Sequence, residues 1–74
     1  MGTKLGYAIL MSHPEVKDAM PDCWYGFQLR EARARKKFLL KMYPGWTPSI
    51  CLIRLHQDDY GFWHRREILE RNYR

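Results

Sequence analysis

Gly26, Arg30, Arg33, Lys37 and Lys41 stand four, three, four and four residues apart. On one helix over Asp22 to Tyr43 they form a single lengthwise stripe. Long cationic side chains in such a row meet phosphates or carboxylates, and aromatic neighbours such as Trp24, Tyr25 and Phe27 offer faces on which bases stack. The same segment carries Leu29, Ala32, Phe38, Leu39, Leu40 and Met42, a broad apolar arc that docks the helix and leaves its cationic edge outside. A solvated basic face has the same spacing, and charge alone names no partner. No RNP-like, KH or zinc-finger pattern accompanies the stripe.

Other reactive side chains are scattered. His13, His56, His64, Cys23 and Cys51 lack the close ligand pairs of a structural zinc site, although His56 and His64 approach each other across a turn. Cys23 with any histidine is a formal nucleophile pair, yet nothing marks a base, an orienting partner or an oxyanion hole. The expectation is a protein without catalytic residues, metal or cofactor, with both cysteines as buried free thiols. Asp58 and Asp59 are adjacent and read as turn residues. Trp46 lies between Gly45 and Thr47 in a connection flanked by Pro44 and Pro48, which makes it the tryptophan expected to be partly exposed. With Arg30, Arg33, Lys37 and Lys41 it completes the candidate partner-binding set.

Composition bounds the remaining options. A chain of 74 residues makes one domain over 1–74, and folding at this size removes only about 60% of the unfolded surface from water. An apolar share of 46% and an aromatic share of 15% suit a compact fold that fills its core with large side chains. Thirteen Lys and Arg against 8 Asp and Glu give +5, enough to speed approach to a polyanion or an acidic protein surface. The apolar run Leu5 to Met11 is too short to span a membrane, so a soluble cytoplasmic protein without membrane contact is expected.

These side chains need elements to position them. Lys4 to Met11 alternates as a strand with both faces partly covered, and Ser49 to His56 alternates as its partner. Ser12 with Glu15 has capping-box spacing, which predicts a short helical piece over His13 to Met20 that Pro21 ends. Asp22 then serves as the N-cap of the long helix, the preferred reading, although residues 23–29 also admit an aromatic strand. Arg30 to Met42 is helical in either case, with Glu31 and Arg35 as an i, i+4 pair, and Pro44 and Gly45 stop it. Gln57 to Gly61 is a turn. Residues 62–68 read as strand or helix; the preferred reading is a short strand at Gly61 to His64. A helical tail then pairs Arg66 with Glu70, Glu67 with Arg71 and Glu70 with Arg74. The fold expected is α+β, a small antiparallel sheet of two or three strands packed against one long central helix, with a short helical C-terminal tail.

Met1 to Lys17 (MGTKLGYAILMSHPEVK) and Asp22 to Lys37 (DCWYGFQLREARARKK), together with the length, resemble a small regulator of the kind made by lytic Xanthomonas phages. The resemblance implies a protein that attaches to host RNA polymerase near the N-terminal region of the beta-prime subunit, inhibits initiation and lets elongation pass terminators. It transfers no binding residue, because no family motif can be matched position by position. Two other readings stand beside it: a small basic DNA- or RNA-binding module using the central helix, and a structural protein acting as a homodimer.

Overall fold

The computed structural model describes residues 2–73, Arg66 by its backbone alone. Strands β1 (Thr3–His13) and β2 (Val16–Gly26) precede the helix α1 (Leu29–Met42), and strands β3 (Thr47–Gln57) and β4 (Trp63–Glu70) follow it. They form one sheet in the order β2-β1-β3-β4, antiparallel throughout. The α+β class is as expected, with four strands in place of two or three.

β1 sits inside the sheet and pairs with β3 along its length, from Thr3 opposite His56 to Ser12 opposite Thr47. Its alternation serves two cores. Ile9 and Met11 join Ile50 beneath Ala32 and Leu39 of α1, while Ala8 joins Cys51, Ile53 and Leu55 on the opposite face. Among the described residues no helix covers that second face; the sheet curls over it. Tyr25 Oη donates to the Trp63 carbonyl at 3.2 Å, Arg65 Nη1 donates to the Asp22 carbonyl at 2.6 Å, and the Phe27 and Trp63 rings meet at 5.6 Å. These contacts tie the edge strands β2 and β4 together. The curl needs Gly6, where a Cβ would meet Leu55 Cδ1 and lie 2.8 Å from the Gly26 carbonyl oxygen.

Three expectations are corrected. His13 to Met20 is a hairpin, not a helical piece: Ser12 Oγ donates to the Thr47 carbonyl rather than capping a helix, and the Glu15 N–H donates to His13 Nδ1 within the turn. Pro21 lies in the edge strand opposite Leu10, where a missing N–H is tolerated. Asp22 is not an N-cap, because residues 23–26 continue β2. Their burial alternates, with Trp24 half-buried between exposed Cys23 and Tyr25, so Gly26 falls outside the helix and off the stripe. β2 is bulged between its pairings of Pro21 with Leu10 and Tyr25 with Ala8, and the bulge carries Asp22, Cys23 and Trp24. Finally, β4 replaces the helical tail. Glu67 meets Arg54 across the sheet at 3.3 Å instead of Arg71 one turn along. The expected partners Arg74 and the Arg66 side chain lie outside the described residues. The chain closes through Tyr73, whose N–H donates to the Ile50 carbonyl at 2.6 Å.

Candidate functional site

Gln28 begins α1 with its carbonyl, which accepts the Glu31 and Ala32 N–H groups at 3.1 and 3.2 Å; its side chain caps nothing. At the far end the Tyr43 N–H reaches the Leu39 carbonyl, and Gly45 takes the left-handed φ of +92° that ends the run as expected. Ala32 and Leu39 are buried and Leu29 and Lys36 half-buried, at the spacing of one helix face. That face fixes the rotation of the helix. Arg30, Arg33, Lys37 and Lys41 are therefore all exposed, in one row.

Among the described residues none of these four cations forms an ion pair. Arg30 is steadied by its bond to Gln28 Oε1 at 2.9 Å. Arg35 behaves differently. It does not pair with Glu31 one turn back. Its Nε and Nη2 donate to the two Asp22 carboxylate oxygens at 2.8 and 3.0 Å, binding α1 to the β2 bulge. Those hydrogen bonds, and next the charge of Arg35, hold the Asp22 carboxyl below its ordinary range against the opposing effect of burial. The Asp22 charge is thus met by Arg35, and α1 presents the exposed cations Arg30, Arg33, Lys37 and Lys41 against one exposed acid, Glu31.

Trp46 is half-buried, packed against the core under α1, with its ring 5.1 Å from that of His13. It stands beyond the C-terminal end of the stripe rather than within it. Beside it lies a feature with no sequence signal of its own, an open groove of about 390 Å³ between β2 and the C-terminal half of α1. Met11, Met20, Pro21, Leu39, Tyr43 and Trp46 line it. Met20 reaches this position only because β2 is a strand.

The other reactive groups stay apart. Cys51 is buried, and burial raises its thiol pKa, whereas Cys23 is exposed, contrary to expectation. His56 and His64 do face each other in register, and His64 Nε2 lies 2.7 Å from Asp58 Oδ2. Asp58 Oδ1 accepts the Tyr60 and Phe62 N–H groups, both at 2.9 Å, so its work is to hold the turn. Among the described residues no three His, Cys, Asp or Glu side chains are grouped to hold a metal ion, and no helix is long and apolar enough to cross a membrane.

The geometry that carries partner chemistry is therefore a docked helix with a free cationic row on its outer side and an apolar groove along its flank. Compared with protein-family models, curated proteins and solved structures, the chain matches none.

Proposed function

We propose that this chain is a non-catalytic transcription regulator that binds host RNA polymerase through α1, inhibiting initiation and promoting antitermination in the host cytoplasm. The observation that carries the reading is the row Arg30, Arg33, Lys37 and Lys41, exposed and, among the described residues, free of ion pairs, on a helix held by its buried face and by Arg35. Such a row speeds encounter with an acidic protein surface and orients the approach. The resemblance of Met1 to Lys17 and Asp22 to Lys37 to the phage regulators supplies the identity of the partner, with the beta-prime subunit as the contacted part. A module of this size alters a large enzyme by favouring one of its conformations or excluding a competing factor. No chemistry of its own is needed.

The same row also fits phosphates, and direct nucleic-acid binding is the competing reading. Affinity capture from host lysate with and without nuclease decides between them. Polymerase subunits retained after nuclease treatment support the proposal, and recovery that depends on intact nucleic acid favours the alternative. In a purified system, no complex with polymerase at micromolar protein would overturn the proposal.

A further inference from the structure

The exposed side of α1 is not purely cationic. Phe38, Leu40, Met42 and the capping Tyr43 are each close to half exposed, interleaved with Lys37 and Lys41. Phe38 and Met42 are four residues apart and Phe38 and Lys41 three, so an apolar ridge runs directly beside the cationic row. The ridge meets the groove between α1 and β2 at Tyr43, the residue after Met42. Tyr43 lines that groove from the helix and Met20 from β2, both more than half exposed. Arg35 joins the two elements, its guanidinium 5.0 Å from the centre of the Phe38 ring while it pairs with Asp22. Asp22 is the acid in the lining, and its charge is already met.

The occupant must therefore bring negative charge and apolar side chains together. A nucleic acid would neutralise Lys37 and Lys41 and stack bases on Phe38 and Tyr43, but would leave the unbranched apolar Met20 and Met42 in water. We infer that the groove between β2 and α1, with the Phe38 and Met42 ridge, receives an acidic amphipathic helix of a protein partner, its apolar side chains against Met20, Met42 and Tyr43 and its carboxylates on Lys37 and Lys41. This is helix-in-groove recognition, in which unbranched methionines adapt to the shape of the incoming side chains. The inference rests on the reading of α1 as a protein-binding face and names the chemistry of what it binds.

The test is a methyl-resonance NMR titration of the full chain with a synthetic Glu-rich peptide carrying Leu and Phe at i, i+3, i+4 and i+7. The Met20 and Met42 methyl signals are expected to shift. A peptide of the same composition with scrambled order, and one with Gln for every Glu, should each bind roughly tenfold more weakly. The F38Q/M42Q double variant changes two side chains that are about half exposed, so it should stay folded, its unfolding midpoint lowered only by the lost Phe38–Arg35 contact, and lose roughly tenfold in affinity for the peptide. Equal binding of the ordered and scrambled peptides, or undiminished binding by the double variant, overturns the inference. So does stronger binding of phosphatidylglycerol vesicles or a single-stranded oligonucleotide at the same methyl groups. A polymerase complex that survives F38Q/M42Q but not loss of the cationic row overturns this inference alone; peptide binding without any polymerase complex overturns the polymerase proposal alone.

Discussion

Asp22 and Arg35 offer the sharpest check on how the helix is held. Two charge-assisted hydrogen bonds of 2.8 and 3.0 Å join them, with side-chain exposures of 10% for the aspartate and 27% for the arginine. A hydrogen bond to a charged group contributes about 1.5–3 kcal/mol net, whereas a fully exposed ion pair contributes about 0.2–1 kcal/mol. Partial solvation of the guanidinium places the expected coupling between these limits, at about 2 kcal/mol. Asp22→Asn preserves the side-chain shape and an acceptor for the Trp24 N–H, which bonds Asp22 Oδ2 at 3.3 Å. Arg35→Gln preserves helix propensity, and the double variant closes the cycle, removing the separate Arg35 contact with Phe38 from the coupling. Urea unfolding followed by tryptophan fluorescence gives the four stabilities, and each single variant should melt roughly 10 °C below the wild type. The pH dependence has a definite sign. The folded Asp22 carboxyl titrates below its unfolded value, which is near 3.9 for an ordinary Asp. Its contribution is therefore fully present above about pH 4 and is lost as pH falls through the depressed folded value. The wild-type advantage over Asp22→Asn should be flat from neutral pH to about pH 4 and shrink below it. A coupling under about 0.3 kcal/mol, or an advantage unchanged for as long as the wild type stays folded in acid, would show that this pair does not hold the helix to β2.

Three other outcomes follow from the packing. Gly6→Ala should cost about 1–3 kcal/mol in urea unfolding, because its Cβ meets both Leu55 and the Gly26 carbonyl, and backbone cannot yield as a side chain does. A thiol reagent such as DTNB should label Cys23 in the native protein and Cys51 only on unfolding, so two equally fast thiols would contradict the burial pattern. Trp46→Ala should lower the melting temperature through lost contact with the core, and should weaken polymerase binding without changing its salt dependence; an unchanged affinity removes Trp46 from the interface.

Elements whose local pattern agrees with their burial were legible in the sequence. β1 and β3 alternate because each supplies both cores, the Arg30 to Met42 composition favours helix, and Pro44 with Gly45 stops it. The errors lie where two short-range signals compete. Ser12 and Glu15 have capping-box spacing, but the hairpin gives Ser12 a partner 35 residues away. Val16 to Met20 is exposed throughout, so β2 offers no alternation to read there, and it is held by its ladder with β1. Glu67 and Arg71 have helical spacing, but the sheet register places Glu67 opposite Arg54. The cationic row was legible because four of its five positions lie inside the helix on either reading of residues 23–29. The groove was not, because Met11, Met20 and Tyr43 belong to three separate segments that only the pairing of β1 with β2 and the docking of α1 bring together.

The row on α1 is proposed as a binding edge rather than a solvated face. Its most direct test is the affinity of purified RNA polymerase for the chain with Arg30, Arg33, Lys37 and Lys41 all changed to Gln, measured across a salt series. Gln is a comparable helix former and none of the four is buried, so helix content and unfolding midpoint should hold. Weaker binding and a flatter salt dependence are expected, because the charge contacts are gone. An affinity and salt slope equal to wild type, in a variant shown to be folded, would contradict it.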